Sequence, residues 1–191
     1  LNTIAASITM QNMYGARVAR QDILRCVGGL AQYLTKWGPQ QDKMLHRMMC
    51  YIKSTLSGRM VGFIGDSAEK LELWLFTDAD FAGNRSDLKS TTGAFLVLIG
   101  PNTFYPMGFL SKKQTTQSHS TVEAEIVAAD AGLRILGIPA LDLWEKLLGR
   151  KPKLVLFEDN EATQKIILSG RFPTLRHVKR THGVSVMWLH D

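Results

Sequence analysis

Three acidic side chains carry the chemistry this sequence can do: Asp78, Glu125 and Asp159. Asp78 comes late in residues 71–80, which alternate apolar and polar side chains as a half-buried strand does. Glu125 falls in the first turns of an apolar helical stretch, and Asp159 closes the apolar run 154–157. Each has an ordinary structural explanation. Asp78 and Asp80 can open the turn at Ala82-Gly83-Asn84. Asp159 can cap the helix that follows it. Brought together, three carboxylates repel and desolvate one another and require cations. Hard oxygen ligands select Mg²⁺ or Mn²⁺. Two such ions about 4 Å apart can activate a water and stabilise the leaving oxygen of a phosphodiester.

The elements that must position these acids follow from periodicity. Strands are expected at 70–80, 92–99 and 103–111, joined by turns into an antiparallel meander. Pro106 removes a ladder donor, so the third strand should lie at an edge or be bulged there. Ser120-Thr121-Val122-Glu123 is a capping box and opens a helix to about residue 136. That pattern explains Glu123 as a cap and leaves Glu125 for chemistry. Pro139 should interrupt the helix before a second piece at 141–148. Residues 153–159 read as a buried fourth strand, 160–169 as a short helix, and 181–191 as helical. This order indicates an α/β fold with a mixed sheet, a right-handed crossover setting the fourth strand beside the first. The ends of strands one and four then meet where strand order reverses, where open α/β sheets hold ligands. Glu125 shares a helix face with Ala128, Ala129 and Gly132, a small stripe that lets the helix lie close on the sheet.

The N-terminal third is different. Residues 1–20 give no clear signal, whereas 20–34 and 41–56 form an αα-hairpin with apolar stripes. Gly28 and Gly29 suggest close packing against a neighbour. Cys26 and Cys50 read as small core residues, and no zinc-ligand spacing occurs. Residues 60–64 suggest a short strand. A boundary is expected between about residues 57 and 69.

At 191 residues, 45% hydrophobic and 21% charged, the chain is ordinary for a globular protein. Its longest apolar run, 94–99, is far too short to span a bilayer, and no signal peptide opens it. It begins with Leu and reads as a piece of something longer. Two unpaired-looking cysteines favour a reducing, intracellular setting. A net charge of +6 and a pI of about 9.4 favour a polyanionic partner.

One ordered series of motifs is far more specific than any single motif. It runs Thr77-Asp78-Ala79-Asp80-Phe81-Ala82-Gly83, Lys89-Ser90-Thr91-Thr92-Gly93, Ser111-Lys112-Lys113-Gln114, Ser120-Thr121-Val122-Glu123-Ala124-Glu125, Glu158-Asp159-Asn160-Glu161-Ala162 and Arg180-Thr181-His182. The series resembles the RNase H domain of copia-type LTR retrotransposon polyproteins. Ala19-Arg20-Gln21-Asp22-Ile23 and Cys50-Tyr51-Ile52-Lys53 are similar to the segment that ends the reverse transcriptase in such polyproteins.

The resemblance implies a division into 1–66, the helical end of the reverse transcriptase, and 67–191, an RNase H-like domain. It implies that Asp78, Glu125 and Asp159 are catalytic and hold two Mg²⁺ ions, with Mn²⁺ as substitute. The implied reaction is endonucleolytic cleavage of the RNA strand of an RNA–DNA hybrid, discriminated by the 2′-OH. Lys112, Lys113, Arg176 and Lys179 are the expected phosphate contacts. The implied partners are the hybrid and the reverse transcriptase domain of the same polyprotein, with no membrane. The implied compartment is cytoplasm, virus-like particle or nucleus. The sequence departs from the family in two ways. The family's last strand and helix, with a fourth active-site Asp, lie beyond Asp191, and Gly183-Val184 stand where an Asp often follows the His. These departures keep open a degenerate, non-catalytic scaffold or hybrid-binding module. A more distant reading is another nuclease or integrase of the same fold.

Overall fold

The computed structural model describes residues 2–83, 87–171 and 177–191. The chain forms two compact units, Leu1–Val61 and Gly62–Asp191.

The first unit is helical: α1 (Asn2–Val18), α2 (Leu24–Ala31) and α3 (Pro39–Ser54). The unreadable first twenty residues are therefore mostly helix, with Ala5, Thr9 and Ala16 as the buried positions. Small residues at those sites give a weak apolar stripe. From α2 and α3 the core takes Leu24, Val27, Leu30, Leu45 and Met48. Arg20 links α2's approach to the end of α3, donating to Asp22 at 2.8 Å and to Thr55 Oγ1 at 2.6 Å. Two expectations fail in this unit. Cys26 and Cys50 are exposed, on the outer sides of their helices. Gly28 and Gly29 face open space, with nothing within 4 Å of a Cβ built on either.

The second unit is a mixed α/β fold. Its sheet contains β1 (Glu72–Asp80), β2 (Thr91–Gly100), β3 (Thr103–Lys113) and β4 (Leu154–Phe157), in the order β3-β2-β1-β4. The first three are antiparallel neighbours, and β4 runs parallel to β1, Leu73 opposite Leu154 through Phe76 opposite Phe157. Pro106 lies on the outermost strand, opposite Val97, beside a register shift between Leu96 and Val97. Both accommodations open to a strand proline are thus used. The 60–64 segment contributes only one bridge, Phe63 with Phe104.

One face of the sheet carries helices α4 (Thr121–Gly132) and α5 (Ile138–Leu148). Leu71, Leu73, Leu75, Ala94, Leu96 and Leu98 are buried beneath Leu133, Leu136, Leu141 and Trp144. The two helices do not part at Pro139. Residues Leu133–Gly137 form a π-helical turn, and Pro139 sits at the start of α5, where its missing N–H costs nothing. Beyond β4 come α6 (Glu161–Ser169), α7 (Val178–Thr181) and α8 (Val186–His190). They pack on the far side of α4 through Ile166, Val178 and Val184 around Ile126. The helical reading of 181–191 thus holds at Thr181, the end of α7, and from Val186 to His190, with a break between them. The opposite sheet face carries a row of phenylalanines, one per strand: Phe109, Phe95, Phe76 and Phe157. Successive ring centroids are 4.8, 6.0 and 4.7 Å apart.

Candidate metal centre

Asp78 is third from the end of β1, on the open face shared with Phe76, and it is exposed. A charge therefore reaches the C-terminal edge of a core strand without being buried. Glu125 comes from the second turn of α4. Ala124 and Ala128 are fully buried with Ala79 between helix and sheet. Gly132 allows the same approach further along, because a Cβ there would lie 2.7 Å from Thr77 Cγ2. The helix consequently sits close enough for Glu125 to reach the end of β1. Asp159 lies two residues past β4, since that strand ends at Phe157 and is only half-buried. It is not the helix cap. Asn160 is, accepting from the Thr163 N–H at 3.0 Å.

These three acids meet. One carboxylate oxygen of each of Asp78, Glu125 and Asp159 lies within 4.8 Å of the others, the one such group among the described residues. Glu125 is 4% exposed, and its Oε2 is buried with no hydrogen-bond partner. Its carboxyl is pushed up to about 8, first by burial and then by the charges of Glu158, Asp78 and Asp159. A buried carboxylate oxygen without a donor is a costly arrangement in the fold alone. An all-oxygen set with one unsatisfied buried member fits a hard divalent cation. A cation would offset the mutual repulsion and satisfy that oxygen together.

Glu158 joins the group without having been expected there. It is half-buried, its Oε2 accepting from Thr77 Oγ1 at 3.3 Å and its Oε1 from the Asn160 N–H at 3.2 Å. Burial, with the charges of Asp159 and Asp78, raises its carboxyl above the usual range. The signal was present in sequence as the pair Glu158-Asp159, of which only Asp159, the acid at the end of the strand and the one matching the family's motif, was expected at the site.

Glu123 is a cap and more. Its N–H donates to Ser120 Oγ at 3.1 Å, and its Oε2 accepts from the His119 N–H at 2.8 Å, one residue before the cap. Its other oxygen is 3.0 Å from His182 Nε2, and His177 Nε2 is 3.4 Å from Oε2. His182 Nδ1 in turn meets Thr116 Oγ1 at 2.8 Å. These contacts fasten the segment after α6 onto the helix that carries Glu125. Hydrogen bonds hold the Glu123 carboxyl below its usual range despite full burial.

The basic positions divide. Lys112 is exposed at the end of β3. Lys113 is ion-paired with Asp87. Lys179 is exposed on α7, and Arg176 lies outside the described residues. Asp80 packs against Gly83, where a Cβ would collide with its carboxylate, as a turn residue would.

The fold and site define a mixed-sheet α/β protein with a carboxylate cluster at the strand ends. The chain is 32% identical over 116 residues to the secreted RxLR effector protein 161 of Plasmopara viticola, covering 61% of this chain and 77% of that protein. It is 31% identical over 106 residues to the retrovirus-related Pol polyprotein from transposon RE1 of Arabidopsis thaliana, 56% of this chain and 7% of the polyprotein. It is also 31% identical over 117 residues to the Pol polyprotein from transposon TNT 1-94 of Nicotiana tabacum, 61% of this chain and 8% of the polyprotein. No protein-family model and no solved structure matches. The chain belongs to one family with the Plasmopara protein and is homologous to a region of retrotransposon Pol polyproteins. It spans less than a tenth of each of these Pol polyproteins. Among the described residues no helix is long and apolar enough to cross a membrane.

Proposed function

We propose that this chain is the ribonuclease H region of a retrotransposon polyprotein, hydrolysing the RNA strand of RNA–DNA hybrids. The observation that carries the proposal is that carboxylate oxygens of Asp78, Glu125 and Asp159, each from a different element, come within 4.8 Å of one another, while Glu125 also keeps a buried oxygen without a donor. The names of the Pol relatives agree with it. Residues 1–66 are read as the end of the reverse transcriptase and 67–191 as the nuclease. Asp78, Glu125 and Asp159 would hold Mg²⁺, or Mn²⁺ in its place, as a pair of ions. Such ions would lower the pKa of a bound water and neutralise charge on the scissile phosphate. The chain's own part is positioning. Tight helix–sheet contact at Ala124 and Ala128 fixes Glu125, and strand pairing fixes Asp78 beside the exit of β4. Lys112 and Lys179 are free to meet phosphates, whereas Lys113 must first leave Asp87.

The test is cleavage of a labelled RNA–DNA hybrid with Mg²⁺, using this chain and a downstream-extended form, each with and without Asp78→Asn. RNA-strand cutting that Asp78→Asn lowers by about 10³-fold supports the proposal, a loss matching several kcal/mol of transition-state charge stabilisation. Equal cutting by Asp78→Asn overturns the metal-site assignment. Cutting of duplex DNA moves the activity to another nuclease class. Hybrid binding without cutting by either form marks a non-catalytic module.

A further inference from the structure

Two oxygens of Glu158 are held in place beside the cluster. One is anchored by the hydroxyl of Thr77, the residue just before Asp78, and the other by the N–H of Asn160, the residue just after Asp159. β4 and β1 are parallel and in register up to Phe76 and Phe157. Glu158 therefore continues the side of β4 that carries Leu154 and Leu156, the side facing the helices. Asp78 and Asp159 continue the other side. Glu125 reaches the same strand ends from α4: one oxygen of its carboxylate lies within 4.8 Å of oxygens of Asp78 and Asp159, and its Oε2 is buried without a hydrogen-bond partner. Glu158 lies outside the group of three oxygens that could contact one ion directly.

We infer that Glu158 is a fourth carboxylate of the cation site, acting from the helix side as a positioning residue. It adds charge that draws a divalent ion, and it accepts from water on that ion rather than touching the ion itself. The anchoring by Thr77 and Asn160 keeps its carboxylate from swinging away and ties its position to the backbone on either side of Asp78 and Asp159. This inference rests on the cation-site reading above. Outer-sphere partners of this kind typically contribute about 10- to 100-fold in metal affinity.

The experiment is Mn²⁺ titration of the full chain by calorimetry, with no nucleic acid present. It compares the native protein with Asp78→Asn, Glu158→Gln, Glu158→Asp and Glu161→Gln. Glu161 is a nearby exposed acid whose side chain is 84% accessible, and it controls for general loss of charge. Melting temperatures in EDTA establish that each variant is folded. Should Glu158→Gln not fold, Glu158→Ala carries the same test. The expected result is loss of binding in Asp78→Asn and about 10- to 100-fold weaker binding in Glu158→Gln. Glu158→Asp should recover most of that affinity, and Glu161→Gln should bind like the native protein. Native binding lost in Asp78→Asn but unchanged in Glu158→Gln overturns the role of Glu158 and leaves the site standing. Weakening by Glu161→Gln equal to that by Glu158→Gln also overturns it. No binding by the native protein overturns the site and this inference with it.

Discussion

At the scale of single residues, Glu125 is the most informative side chain. Its carboxyl is pushed up to about 8 from an ordinary 4.5, chiefly because it is buried. Folding therefore retains a proton that the unfolded chain releases above about 4.5. Stability should fall as pH rises from there towards 8, because the folded state binds more protons over that window. Glu125→Gln should remove this decline, so melting curves in EDTA at about pH 5 and about pH 8 should differ less in the variant than in the native chain. A tenfold difference in proton affinity between folded and unfolded states corresponds to about 1.4 kcal/mol, so a gain of a few kcal/mol near pH 8 is the upper bound. Glu123 has the opposite sign. Its lowered carboxyl contributes stability above its unfolded pKa that is lost as pH falls through the folded value. Glu123→Gln should cost about 1–3 kcal/mol at neutral pH by leaving buried donors unsatisfied. Circular dichroism melts measure it. Ordinary stability of this variant would deny that Glu123 fastens His182 and the following segment to α4.

At the scale of elements, close helix–sheet approach decides whether the acids meet. Gly132→Ala would place a methyl 2.7 Å from Thr77 Cγ2. Overpacking of that kind costs about 1–3 kcal/mol. It should also weaken Mn²⁺ binding, because the helix that shifts carries Glu125. Gly28→Ala tests the contrary case. With nothing within 4 Å of the added carbon, it should stabilise α2 by up to about 1 kcal/mol. Much of this was legible in the sequence. Alternation found β1, the Gly-Pro-Asn turn joined β2 to β3, and the capping box opened α4 at Ser120. The residue triad followed once β4 was set beside β1. What escaped has physical causes. The α1 stripe is built from Ala and Thr, which carry little hydrophobic contrast. The π-turn absorbs Pro139 in a way that no local rule announces. Glycine placement in α2 signals packing only when a neighbour exists, and here none does. Cys26 and Cys50 were assigned to the core by residue type, but helix phase turns them outward. Glu158 was overlooked because only the acid ending the strand was carried forward, whereas the hydrogen bonds that hold Glu158 beside the cluster, from Thr77 and Asn160, arise only in the folded chain.

At the scale of the whole molecule, a net charge of +6 and a carboxylate cluster coexist. Under the proposed function the excess of positive charge would attract a nucleic-acid backbone, and the cluster would be the place where chemistry occurs. Hybrid binding should consequently weaken steeply with salt. Lys112→Ala should reduce the slope of log affinity against log salt by about 1 if it holds one phosphate, at all sequences alike. Lys113→Ala should do less, since Lys113 already pairs with Asp87. Filter binding across a salt series separates the two. The relatives carry different names, a retrotransposon Pol polyprotein and a secreted effector, so the chemistry has to be argued from the site.

The most direct measurement is anomalous diffraction from crystals of this protein soaked in Mn²⁺. Anomalous density is expected among the carboxylates of Asp78, Glu125 and Asp159, with Glu125 Oε2 in contact with an ion. No density there at millimolar Mn²⁺, with all three side chains ordered, would contradict the metal centre.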